Sequence, residues 1–181
     1  MKAYKHLKTV LKHKWYVMIA CFKCGLYKQG IMHDMSKLGF TEFWSGVKYY
    51  QGDSSPIDAE KKEKGYSLAW QHHKGHNPHH WEYWIDNVGT YKNTPCKVPY
   101  KYVVEMICDW IGAGKVYVGK EWKHTDLMPY YKKVRGVRII HPETEQLILT
   151  FLTAIHYGSL NNFYKMAKDK RIKEMYEGES K

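Results

Sequence analysis

Apolar residues return at helical spacing through most of this chain, and that recurrence constrains its fold more than any other feature. Leu7, Val10, Leu11, Val17, Met18 and Phe22 mark a helix over residues 3–24, with Gly25 as its stop. Tyr102, Val103, Met106, Ile107 and Trp110 predict a strong helix over 100–110, closed by Gly112-Ala113-Gly114. His141-Pro142-Glu143 starts another that reaches about Tyr157. A last helix runs from Ser159 or Asn161 to Tyr176, and a charged tail follows it. Earlier in the chain, helices are expected from about Gly30, from Thr41-Glu42-Phe43-Trp44 with Thr41 or Ser36 as cap, and over 66–73. Residues 51–65 read as a loop, either a cover for a cleft or a solvated connector, and Thr90–Val98 as a second loop. Residues 115–140 are basic and aromatic and predict no clear element. No repeat and no second-domain boundary stands out. The expectation is one all-α domain over 1–181 with six or seven helices. Its core covers about 3–114, and the basic aromatic segment and C-terminal helices occupy 115–181.

A chain of 181 residues is long enough for one domain with a substantial core. Sixteen Tyr and seven Trp favour packing over disorder. Lys and Arg total 29 against 18 Asp and Glu, a formal charge of +11. That excess suits an anionic partner such as a small phosphorylated substrate or a nucleic acid, or else only keeps a lysine-rich surface soluble. The most apolar run, Trp15 to Phe22, is eight residues long and flanked by Lys14 and Lys23, whereas a membrane span needs roughly 20. No small-residue cleavage site follows it. The expectation is a cytoplasmic protein with no membrane partner. Cys21 and Cys24 form a lone C-x-x-C without a second pair, and Cys96 and Cys108 lack pair spacing. Buried free thiols are therefore expected rather than a zinc site.

The polar residues carry more specific information. In Ile31-Met32-His33-Asp34-Met35-Ser36-Lys37 an imidazole and a carboxylate are adjacent, both ready ligands for a divalent ion. On a helix, Lys37 would share a face with His33. In His72-His73-Lys74-Gly75-His76-Asn77-Pro78-His79-His80, five of the eleven histidines fall within nine residues. There Gly75 is expected to end one helix, and Asn77 and Pro78 to cap and open the next, with His79 and His80 in its first turn. Glu105 and Asp109 stand four apart on one helical face. With His13, these groups lie on several helices, as metal sites in helical bundles do.

In type and order, His13, then His33-Asp34, then Asp109 resemble the HD-domain superfamily of metal-dependent phosphohydrolases, over about residues 10–112. The family's H-D-x-x-K extension is matched by His33-Asp34-Met35-Ser36-Lys37. The resemblance implies an all-α HD-like bundle in which His13, His33, Asp34 and Asp109 hold a divalent ion with an open position. Members with two ions add histidines between the pair and the last Asp. His73, His79 and His80 are candidates for those places, with His73 and His80 taken as the pair. The spacing from the HD pair to this cluster is longer than the family's, which leaves His72, His73, His76, His79 and His80 as alternatives. The implied cofactor is one or two ions of Mn, Co, Ni, Fe, Zn or Mg. The implied reaction is hydrolysis of a nucleotide or related phosphate ester. Lys37 would meet the phosphate, and Glu105 would accept a hydrogen bond from a ligand or carry a proton.

Three other readings stay open at this point. Lys115–Arg138 interleaves basic and aromatic residues as a nucleic-acid-binding surface would. Some HD-domain proteins are di-iron oxygenases, and the histidine count allows that chemistry. A degenerate HD domain that serves as a scaffold or inhibitor is the third.

Overall fold

The computed structural model describes residues 1–89, 92–136 and 138–178. Among them are ten α-helices and one two-stranded sheet, so the protein is mostly helical. The helix count exceeds the six or seven expected because several are short and lack a readable apolar period.

α1 (Lys2–Lys23) buries His6, Val10, His13, Val17, Ala20 and Cys21 along one face. The stripe expected from the sequence mixes two faces. Tyr4, Leu11 and Trp15 are exposed and, with Leu7, line a surface groove of about 400 Å³ that contains no histidine or carboxylate. Gly25, at φ +77°, ends α1: its N–H bonds to the Phe22 carbonyl and that of Leu26 to the Cys21 carbonyl. This is a Schellman closure, which favours glycine at the left-handed position.

α2 (Tyr27–Met32) stops before the His-Asp pair, contrary to the expectation that one helix carries the whole motif. His33 is extended at φ −51°, ψ 127°, Asp34 is left-handed at φ 54°, and a 3-10 turn covers Met35–Leu38. Asp34 is the one described non-glycine residue with positive φ. Lys14 donates to the carbonyls of Ile31 and His33 and so ties this corner to α1. α3 (Phe40–Tyr49) follows with Gly39, not Thr41 or Ser36, at its cap.

The loop expected over 51–65 contains α4 (Pro56–Lys64), started by Pro56 behind Ser55 and closed by Gly65 at φ +81°. Its charged run is helical because Glu60, buried at 3% exposure, accepts hydrogen bonds from Ser45, Lys64 and Ser67. α5 (Leu68–His76) is capped by the Ser67 hydroxyl on the Trp70 N–H. It passes through Gly75 rather than ending there. Asn77 closes this helix instead of opening another: its side-chain amide donates to the His73 carbonyl. His79 and His80 therefore lie in a turn, with a 3-10 turn at Trp81–Trp84 after them. The loop expected over 90–98 holds one arm of a hairpin, β1 (Ile85–Val88) against β2 (Lys92–Pro95), antiparallel with Ile85 opposite Pro95. Thr90 and Tyr91 lie outside the described residues.

α6 (Tyr100–Tyr117) is the central helix, with Val103, Val104, Met106, Ile107, Cys108 and Ile111 at 1% exposure or less. Gly112 and Gly114 do not close it. A Cβ at Gly112 would stand 2.4 Å from Val17 Cγ2, and one at Gly114 would meet the Trp122 ring. These glycines admit α1 on one side and Trp122 on the other. In the segment without a predicted element lie α7 (Leu127–Arg135) and two 3-10 turns; Val137 is outside the described residues. α8 (Pro142–His156) follows. The expected final helix is two, α9 (Leu160–Met166) and α10 (Lys170–Glu177), separated at Ala167–Asp169. Glu179, Ser180 and Lys181 of the expected charged tail are outside the described residues.

One apolar cluster joins these elements, with Val17 and Cys21 of α1, Ile107 and Ile111 of α6, Phe151 and Ile155 of α8 and Phe163 of α9 at its centre. Cys21, Cys24 and Cys108 are buried free thiols within it, and Cys96 is exposed. No helix among the described residues is long and apolar enough to cross a membrane.

Candidate metal centre

The α1–α6 packing places His13 beside Asp109, and the left-handed corner after α2 turns Asp34 in between them. His13 Nε2 lies 3.0 Å from Asp109 Oδ1, 3.4 Å from Asp34 Oδ2 and 3.4 Å from His33 Nε2. His33 Nε2 lies 3.3 Å from Asp34 Oδ2 and 3.4 Å from Asp109 Oδ1. α5, through His73, and the turn after it, through His79 and His80, bring up a second set. His73 Nε2 is 3.3 Å and His79 Nε2 3.5 Å from the other Asp34 oxygen, Oδ1, and His80 Nε2 is 2.9 Å from His73 Nε2. Two four-residue donor sets result, His13-His33-Asp34-Asp109 and Asp34-His73-His79-His80, each with its ligand atoms within 4.8 Å of one another. Asp34 belongs to both and offers one oxygen to each.

Carboxylates behind these sets fix the imidazoles. Glu105 Oε1 accepts from His33 Nδ1 at 3.0 Å, and stands 3.3 Å from His79 Nδ1. Glu42 Oε2 accepts from His73 Nδ1 at 2.7 Å. With Nδ1 facing a carboxylate, each of these rings turns Nε2 inward, the orientation that metal-binding histidines adopt. Lys37 Nζ reaches Asp34 Oδ2 at 2.5 Å, and its side chain keeps 26% of its exposure. It is the cation at the rim of the cluster.

The electrostatics keep both carboxylates charged and two of the imidazoles neutral. Burial works against charge throughout, yet His33, Lys37 and His73 hold the Asp34 carboxyl well below its ordinary range. Burial also opposes charge on Asp109, but bonds from His13 and His33 keep it ionised. Desolvation lowers the pKa of His73, and burial followed by repulsion from His79 and His73 puts His80 well below the usual imidazole range. Both histidines are thus held neutral, the ligand form. His33 runs the other way: Asp34, Asp109 and Glu105 outweigh burial and raise its pKa well above normal, so its Nε2 must give up a proton before it can ligate.

Asp34 Oδ1 and His79 Nε2 supply the test of fit. Both are buried, both face the middle of the second set, and neither has a hydrogen-bond partner among the described residues. A buried carboxylate oxygen and a buried imidazole nitrogen without partners cost about 1–3 kcal/mol each, and a cation between them removes that cost. These residues can hold a metal ion.

All eight sequence-predicted residues, His13, His33, Asp34, Lys37, His73, His80, Glu105 and Asp109, are found at this one place. His79 joins them, although the sequence alone left it level with its neighbours. Glu42 and Lys14 carried no signal: an acid near the start of an aromatic helix and one lysine among many look like surface residues until their partners are known. His72 and His76 lie outside both donor sets. The aromatics of 115–138 do not form one exposed platform. Tyr131 is fully buried, Tyr130 is 46% exposed, and Arg138 stacks over Trp110 with its guanidinium 5.0 Å from the ring centre.

Comparison with curated proteins and with solved structures finds no match. Residues 2–154 match a family model. The matched span includes every residue of the two donor sets and stops within α8, and the chain belongs to that family, described as a family of unknown function (DUF5662).

Proposed function

We propose that the chain is a metal-dependent phosphohydrolase of the HD type, with two divalent ions that share the Asp34 carboxylate, acting on a nucleotide or related small phosphate ester. The observation that supports this reading is the division of Asp34 between two buried donor sets, one oxygen to each. His13, His33, Asp34 and Asp109 hold the first ion, and Asp34, His73, His79 and His80 the second. When bound, such ions polarise a phosphoryl oxygen and make a water nucleophilic near neutral pH. The protein's own groups do the rest. Glu105 and Glu42 hold the imidazoles with Nε2 turned inward. Lys37, paired to Asp34 and partly exposed, offers positive charge to an arriving phosphate. The net charge of +11 favours approach of an anion.

A di-iron oxygenase is the second reading, because two four-donor sets sharing a carboxylate suit iron as well. Metal analysis of untagged protein, with assays of phosphate release and oxygen consumption, separates the two. Two ions and phosphate release, both lost in Asp34→Ala, are expected. Iron with oxygen consumption and no phosphate release selects the oxygenase. Wild-type protein that retains no metal but binds DNA or RNA in a salt-dependent way sinks both.

A further inference from the structure

Asp34 reaches both donor sets from a left-handed backbone, at φ 54°. That conformation crowds a Cβ and persists where the surroundings enforce it. Two backbone bonds lie within the corner itself. The Lys37 N–H donates to the Asp34 carbonyl at 3.0 Å, and the His33 N–H to the Gln29 carbonyl at 2.7 Å. A further restraint comes from α1. Lys14 is half-buried, and its ammonium donates to the Ile31 carbonyl and, at 2.9 Å, to the His33 carbonyl. Ile31 lies in the last turn of α2, where carbonyls lack an intrahelical partner. The His33 carbonyl belongs to the planar peptide that joins His33 to Asp34, so a bond to it restrains ψ of the first residue and φ of the second. Lys14 also follows His13, whose imidazole meets Asp109 and Asp34. Adjacent residues of α1 thus serve the first donor set in two ways, His13 as a ligand and Lys14 as a hold on the segment that supplies His33 and Asp34.

We propose that Lys14 is a positioning residue of the metal centre: by holding the carbonyls of Ile31 and His33, it keeps His33 and Asp34 at the angles from which they ligate. The proposal rests on the buried sets binding metal, and not on the reaction that follows. Charge alone gives the opposite expectation. Burial lowers the Lys14 pKa, and Asp34 and then Glu105 act against it, so the ammonium and the centre feel each other. A fixed cation repels a divalent ion, and its removal on that ground tightens binding. Removal of a clamp loosens binding. The sign of the change therefore separates the two roles. Because Asp34 belongs to both sets, both ions should respond.

The test compares the untagged full chain with Lys14→Met, which keeps an unbranched stem without donors, and with Lys14→Arg, which returns them. In metal-free protein, hydrogen exchange read by magnetic resonance follows the Lys37 amide, which closes the corner, against the Val104 and Ile107 amides of α6, which report on the fold as a whole. Co2+ is then added, its affinity read by competition with a chelator and its ligand set by the visible spectrum. Lys14→Met should speed exchange at Lys37, leave the α6 amides protected, shift the Co2+ bands and weaken both Co2+ positions by at least about tenfold. Lys14→Arg should recover part of that affinity. Co2+ held as tightly or more tightly by Lys14→Met, an unchanged exchange rate at Lys37, equal losses of protection at Lys37 and α6, or a wild type that takes up no Co2+ overturns the proposal. An absence of phosphate release would count against the hydrolase reading alone, because none of these readouts depends on turnover.

Discussion

Glu105→Gln is the most informative single change at the buried centre. Glu105 is 5% exposed, and one of its oxygens faces His33 Nδ1 at 3.0 Å and His79 Nδ1 at 3.3 Å. These two histidines belong to different donor sets, so one carboxylate orients a ligand of each position. Burial would raise the Glu105 pKa, but the bonds from His33 and His79 bring it below the usual carboxylate value, so an anion is what they lose. Glutamine keeps the shape and one neutral acceptor. Removal of such a partner behind a metal ligand lowers metal affinity by about 10–100-fold, or about 1.4–2.7 kcal/mol, and here both ions should feel it. The assay is competition against a chelator of known strength, read as two binding constants, with circular dichroism to show that the helices persist. Weakening of both ions by similar factors is expected, with phosphate release restored by added metal. Wild-type affinity at both positions would refute the orienting role. Full metal content with activity lost at every metal concentration would instead make Glu105 a proton carrier.

Other predictions rest on separate contacts. His79→Ala should remove one retained ion and leave the other, read by atomic emission, because His79 serves the second set and not the first. Gly112→Ala should lower stability by about 1–3 kcal/mol in thermal unfolding, since its Cβ meets Val17 Cγ2 at 2.4 Å across the α1–α6 contact; no loss would mean that α1 shifts freely. Glu60 links acid stability to α4: burial raises its pKa, but Ser67, Lys64 and Ser45 outweigh that and depress it. A depressed carboxyl stabilises the fold above its unfolded value, near 4.3, and that contribution disappears as pH falls through the folded value. Glu60→Gln should therefore flatten the acid limb of a stability–pH curve below about pH 5, and an unchanged limb would remove Glu60 from the account.

The long helices were legible because their apolar residues repeat at helical spacing and bury a face. α1 and α6 are where the sequence places them, although α6 extends past its glycines. The short elements were not legible. α4 is a charged nonapeptide whose helix depends on Glu60 being buried against Ser45 and Ser67, a fact of packing rather than of composition. Asn77-Pro78 looks like the start of a helix, yet the Asn77 amide finds the His73 carbonyl four residues back and serves as a stop.

The sequence by itself determined the chemistry at hand. It supplies His13, the His33-Asp34 pair, the dense histidine run and Asp109, residue types that suit a divalent ion. Tertiary structure decided how they divide. The left-handed backbone at Asp34 lies off any helix, and it lets one carboxylate face two donor sets. Only packing shows that Glu42 stands behind an imidazole, which imidazoles Glu105 meets, and that His79 turns inward while His72 and His76 do not. Spacing along a chain records which residues are neighbours on one helix. It carries no record of which faces of five different segments, α1, the corner after α2, α5, the turn after it and α6, meet around one buried point.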